Sequence, residues 1–145
     1  VRVAVIHGPN LNLLGVREPE VYGADTLADL ESRIRAAADP LGITVTFSQS
    51  NHEGELVDRV QALRGSADAL ILNAGAYTHT SIAIRDALLA VRIPFVEVHL
   101  SNVFARESMR HRSLMADLAL GVVAGLGADG YVAALHALHR RFGGG

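Results

Sequence analysis

The chain has no cysteine, which excludes disulfide staples, thiolate nucleophiles and cysteine-containing zinc sites and fits a reducing compartment. It also lacks an excess of either charge. Thirteen basic side chains face 15 acidic ones, for a formal net charge of −2, and the basic residues are scattered. That is not the electropositive footprint of a nucleic-acid or anionic-membrane partner, and a small neutral or anionic metabolite fits better. No apolar run approaches the roughly 18 residues of a membrane span, and the first residues lack the basic-then-apolar pattern of a signal peptide. The expectation is a soluble, cytoplasmic protein; because Val1 is not Met, its natural start is expected to lie upstream.

Several catalytic motifs are missing too. No HExxH or HxH occurs among the seven histidines, and His52 with Glu53 and Glu55 matches no trusted ligand spacing, so no metal is expected. Without GxSxG, GxGxxG or GxxxxGK[ST], the serine-hydrolase elbow, the dinucleotide fingerprint and the NTP phosphate loop all lack their mechanical parts.

What is present suits one domain, since 145 residues at 50% hydrophobic can bury a single sizeable core. VRVAVI is short, β-branched and nearly unbroken, and reads as a buried central strand. Helical periodicity follows from Thr26, with Leu27, Leu30 and Ile34 on one face, Thr26 and Asp29 spaced as a capping box, and Pro40 and Gly42 as the stop. ITVTFS gives a second strand, and Leu56, Val60 and Leu63 mark the next helix. A third strand ends near Asn73, a helix starts near Thr80 or Ser81, and PFVEVHL is the fourth strand. After a loop from Ser101 to about Ser113, LALGVVAGLG reads as the fifth strand and YVAALHALHRRF as the last helix. Strands alternating with helices, without repeats or a linker, predict an α/β fold: a doubly wound, flavodoxin-like, five-stranded parallel sheet of order 2-1-3-4-5 in three layers.

In such sheets ligands sit beyond the C-terminal strand ends, where strand order reverses. Here those ends hold residues 8–12, 51–53, 73–79 and 99–102, which are almost all polar. GPNLNLLGVREPEVYG, after the first strand, is rich in glycine, proline and asparagine and is long for a strand-to-helix connection. It reads as a mobile lid around residues 15–25 that carries Arg17 and Tyr22 over a pocket.

Candidate chemistry gathers at this rim. Glu97 and His99 alternate with Val96, Val98 and Leu100, so both polar side chains share one strand face. A carboxylate beside an imidazole fixes its tautomer and suits a general acid; a buried, satisfied histidine is the bland alternative. Tyr22 becomes a base if Arg17 favours its phenolate, and is otherwise a packing residue. Asn10, Asn12 and Asn73 suit either turns or the binding of an enol or a water. His79 precedes a helix start, where backbone N–H groups favour an anion, and could equally cap the helix or face solvent. Ser101 could hold a carboxylate or cap its loop. Arg106, Arg110 and Arg112 with His111 form the local basic group, read as either anion-binding or solvated.

Taken together, GPNLNLLGVREPEVYG, QSNHEGELVD, NAGAYTHTSIAIRDAL, EVHLSN, RESMRH and GVVAGLGADGY occur in an order that resembles the type II 3-dehydroquinate dehydratases over nearly the whole chain. Met109, where that family often has an aromatic, and Arg112, where a second histidine is common, are the departures. The resemblance implies cofactor-free dehydration of 3-dehydroquinate to 3-dehydroshikimate, in the shikimate route to aromatic amino acids or in quinate breakdown. It implies Tyr22 as the base, with Arg17 lowering its pKa, Asn10 holding a water that stabilises an enolate, and His99, supported by Glu97, as the acid. It implies substrate binding by Asn73, His79, Leu100, Ser101 and Arg110. Asp86 would come from a neighbouring subunit of a homo-oligomer, typically a dodecamer of trimers. A rival of the same fold is a flavin carrier or phosphoacceptor receiver. The first loop lacks the carrier's Ser/Thr-rich phosphate cradle, and His7 and Asn73 stand where a receiver needs acids.

Overall fold

The computed structural model describes residues 1–16, 20 and 25–143. Strands form where β-branched runs are bounded by turn residues: β1 (Arg2–His7), β2 (Thr44–Gln49), β3 (Ala69–Asn73), β4 (Phe95–His99) and β5 (Gly121–Ala124). Helices form where apolar residues recur every three or four positions: α1 (Leu27–Ala38), α2 (Glu53–Ala62), α3 (Ile82–Val91) and α4 (Ala128–Phe142). The capping box at Thr26 is present. Its hydroxyl accepts from the Asp29 N–H at 3.1 Å, and the Asp29 carboxylate accepts from the Thr26 N–H at 3.0 Å.

All strand pairs are parallel, in the order β2-β1-β3-β4-β5 expected from the alternation of elements. Parallel strands need covering on both faces, and period-two alternation divides the core accordingly. Val3, Val5, Ile71, Val96 and Val98 pack under α1 and α4, where Ile34, Tyr131 and Leu135 are fully buried. Ala4, Ile6, Leu70, Leu72 and Phe95 pack under α2 and α3, where Val60 and Ile84 are fully buried. Burying one such side chain contributes about 2 kcal/mol, so the two faces together supply the drive for a doubly wound, flavodoxin-like sheet.

The structure differs from the sequence reading at the last strand. LALGVVAGLG pairs only over Gly121–Ala124, because Leu118 closes a turn on the Met115 carbonyl (3.0 Å) and Gly125 turns to φ 89°. α4 in turn starts at Ala128, ahead of Tyr131.

The crossing of the first and third strand ends matters most for the site. A Cβ on Gly8 would lie 2.4 Å from the Ala74 carbonyl carbon and oxygen, so only glycine lets the chain leave β1 this close to β3. The Gly8 N–H then donates to the Asn73 carbonyl at 2.7 Å. Among the described residues, no helix is long and apolar enough to cross a membrane.

Candidate active site

The alternation along β4 places Glu97 and His99 side by side on the α2/α3 side of the sheet, with Glu97 2% and His99 6% exposed. His99 Nε2 lies 2.6 Å from Glu97 Oε2. A carboxylate removed from water needs partners for both oxygens, and Glu97 has them: the Ser113 hydroxyl donates to Oε1 at 2.7 Å.

His99 opens onto a cleft of about 240 Å³ at the C-terminal ends of β1, β3 and β4. This is the location the strand-order rule selects. The chain leaving β1 contributes Asn10, held in a left-handed conformation at φ 69°, its N–H donating to Asn51 Oδ1 at 2.9 Å. From the end of β3 come Asn73 and His79, and just past β4 come Leu100 and Ser101. Arg106 and Arg110 close the wall from the next loop. Arg110 Nε donates to Glu107 Oε1 at 3.2 Å, and Glu107 is held below the usual carboxylate range by its own backbone N–H and then by Arg110.

Asn73 is 4% exposed, and its amide is oriented from both ends. Its Oδ1 accepts from the Gly75 N–H at 3.1 Å, and its Nδ2 donates to the Tyr131 phenol at 2.9 Å. Burial pushes the pKa of Tyr131 well above the ordinary phenol range, so its hydroxyl stays neutral. His79 ends a 3-10 turn, Gly75–His79, ahead of α3, and its Nδ1 lies 2.8 Å from the Arg112 carbonyl. The α3 N-terminus is capped by Ser81, whose hydroxyl accepts from the Ile84 N–H at 2.9 Å; His79 therefore serves the cleft from the turn and does not cap the helix. Its ring stacks on that of His99, with centroids 6.3 Å apart and planes 17° apart.

The structure thus gathers Asn10, Asn73, His79, His99, Leu100, Ser101 and Arg110 around one space, with Glu97 directly behind His99. Arg17 and Tyr22, and most of the expected lid at 15–25, lie outside the described residues. Asp86 is exposed on α3 and does not line this chain's cleft. The segment 51–53 follows the C-terminal end of the edge strand β2, as expected, but does not line the cleft. Asn51 Oδ1 is spent holding the Asn10 N–H and Gln49 Nε2, the latter at 3.1 Å. Asn12 takes only a 3.5 Å bond from Gln49 and stays off the wall. Arg106 joins the cleft as an individual residue, where the sequence marked only a basic cluster. Tyr131 and Ser113 carried no local signal, because each acts through a partner distant in sequence. No group of three or more possible metal ligands occurs among the described residues.

An imidazole backed by a buried carboxylate, with amide donors, a second imidazole and guanidinium groups, can bind a small anionic, hydroxylated ligand and donate a proton to it. Residues 1–139 match the family model described as Dehydroquinase class II. The 3-dehydroquinate dehydratase of Bordetella avium is 59% identical over 134 residues, covering 92% of this chain and 93% of that protein. Catabolic 3-dehydroquinase 1 of Neosartorya fischeri is 56% identical over 133 residues, covering 92% of this chain and 89% of its own. Among solved structures, the type II dehydroquinase of Butyrivibrio crossotus superposes with a TM-score of 0.93 at 42% identity, covering 95% of this chain and 97% of that one. The Propionibacterium acnes enzyme gives 0.92 at 37%, with 96% of each chain covered. On sequence and on fold alike, the chain belongs to the class II dehydroquinase family.

Proposed function

We propose that the chain dehydrates 3-dehydroquinate to 3-dehydroshikimate through an enolate, without a cofactor. The observation that carries this reading is the buried Glu97–His99 pair opening onto a polar cleft at the strand ends, in a chain of this family. The substrate is a β-hydroxy ketone. Its C2 proton is made removable by the adjacent carbonyl, and its C1 hydroxyl leaves only if protonated. Tyr22, as tyrosinate favoured by Arg17, takes the C2 proton, and the lid at 15–25 brings both residues over the ring. Asn10 holds the water that stabilises the enolate. His99 gives its proton to the C1 oxygen, the C–O bond breaks, and water departs as the enolate electrons form the new double bond.

Ser101 and the Leu100 backbone hold the substrate carboxylate, and Asn73, His79 and Arg110 engage the remaining oxygens. Asp86 acts across a subunit boundary in a homo-oligomer, a dodecamer built from trimers, and the enzyme works in the cytoplasm. The exposure of Asp86 on α3, away from its own cleft, supports that assignment.

The test follows enone absorbance after 3-dehydroquinate is added to wild type, Tyr22→Phe and His99→Ala. Wild type is expected to raise the signal, and each variant to slow it by at least about a hundredfold. A folded wild-type protein that leaves the spectrum unchanged would overturn the reading.

A further inference from the structure

What holds the second oxygen of Glu97 decides which way the proton runs in the Glu97–His99 pair. The Ser113 oxygen accepts from the Met115 N–H at 3.0 Å and the Ala116 N–H at 3.0 Å. A hydroxyl has two acceptor sites and one proton, so with both acceptor sites occupied the proton is directed at Glu97 Oε1, 2.7 Å away. One residue earlier, the Arg112 carbonyl faces His79 Nδ1 at 2.8 Å. A carbonyl only accepts, so His79 carries hydrogen on Nδ1 and turns Nε2 the other way. One residue later, the Leu114 N–H donates to the Thr78 carbonyl at 2.9 Å, while the Leu114 carbonyl accepts from Arg85 Nη1 at 2.8 Å. Arg85 is itself fixed by a two-pronged bond to Asp117 at 2.5 and 2.9 Å. Three consecutive residues therefore touch His79, the carboxylate that holds His99, and the backbone next to His79, and Arg85 of α3 holds the last of the three at Leu114.

We propose that residues 112–114 form a strap that fixes the placement of protons in the site, with Ser113 as a positioning residue. Its hydroxyl keeps Glu97 an acceptor, so His99 directs Nε2–H at Glu97 and presents Nδ1 as the atom that gives its proton to the leaving oxygen. After that transfer His99 is neutral and keeps Nε2–H. It regains its Nδ1 proton from solvent, to which the base releases the proton taken from C2. His79, held oppositely by Arg112, presents Nε2 as an acceptor for a substrate hydroxyl. The strap gives one ring the role of donor and the other that of acceptor.

The role in turnover rests on the dehydration reading, whereas the tautomers do not, and the experiment separates the two. Side-chain nitrogen NMR of the wild-type protein without substrate, at a pH where histidine is neutral, is expected to show Nε2–H at His99 and Nδ1–H at His79. The opposite tautomer at either ring would overturn the proposal whatever the substrate is. In Ser113→Ala the His99 signal is expected to become a mixture of tautomers. Turnover of 3-dehydroquinate is expected to fall about tenfold in kcat, with KM within about twofold, as for loss of one hydrogen bond to a charged group. Ser113→Thr, which keeps the hydroxyl, is expected to restore both readouts. A single unchanged tautomer in Ser113→Ala, a loss confined to KM, or failure of threonine to restore kcat would each overturn it. If the alanine variant does not fold, the wild-type spectrum decides alone.

Discussion

Two concavities of this molecule invite comparison. The cleft at the ends of β1, β3 and β4 holds about 240 Å³, while a groove along β5 and α4, lined by Leu120, Val122, Ala133 and Ala137 with Arg140 and Arg141 at its margin, holds about 510 Å³. The larger one contains no acid–base pair. The smaller has imidazoles, amides, a hydroxyl and guanidinium groups converging on it, and His79, His99, Asn73 and Arg110 are each held by a partner outside the cleft. Convergence of oriented polar groups identifies the site better than volume does, because chemistry needs fixed donors and acceptors and an apolar wall supplies neither.

Substitutions can break or sharpen that contrast. The largest effect is expected for His99→Ala, which removes the proposed acid and should lower kcat by about 10²- to 10⁴-fold, and which also leaves Glu97 Oε2 unpaired in the interior and so should lower the melting temperature, read by enone absorbance and thermal denaturation. Asn73→Leu should come next. It strands the Gly75 N–H and the Tyr131 hydroxyl, so chemical denaturation should show a loss of about 2–3 kcal/mol together with a clear rise in KM. Tyr131→Phe leaves one Asn73 N–H unpaired in the interior. About 1–2 kcal/mol of stability and a severalfold rise in KM are expected, with kcat nearly unchanged.

Acid should loosen the clamp behind the cleft. Arg85, by hydrogen bonding, holds the Asp117 carboxyl below the usual carboxylate range, so the native pKa lies under the unfolded one. The stabilisation is then complete above the ordinary carboxylate range and is lost as pH falls through the native value. Asp117→Asn should flatten that part of the melting temperature profile measured between about pH 5 and 2. The smallest effect belongs to the groove: Val122→Thr should leave kcat and KM within about twofold. A tenfold loss there would collapse the distinction between the two cavities.

The fold was legible because its signals are local. The β-branched run before Gly8, the Thr26 and Asp29 spacing and the period-two alternation of Glu97 and His99 each act within a few residues, and the structure bears each of them out. The strand-end rule then located the cleft. Less legible was whatever depends on partners far apart in sequence. Asn51 is polar and sits at a strand end, yet its side-chain amide oxygen is consumed by Asn10 and Gln49. Ser113 and Tyr131 looked like loop and core residues, and only folding brings them to Glu97 and Asn73 across 16 and 58 positions. The bounds of β5 were drawn too wide for a related reason: an apolar run does not reveal which of its residues will find a neighbouring strand and which will turn away.

The grip of Tyr131 on Asn73 means that the floor of the cleft is anchored in the dry interior, from a helix that does not line it. Redesign confined to the walls of the cavity would leave untouched the group that aims this amide. Conversely, if Asn73 binds substrate as proposed, repacking α4 for heat resistance would alter affinity without changing any residue of the cleft wall, and thermal hardening and substrate recognition would have to be optimised together.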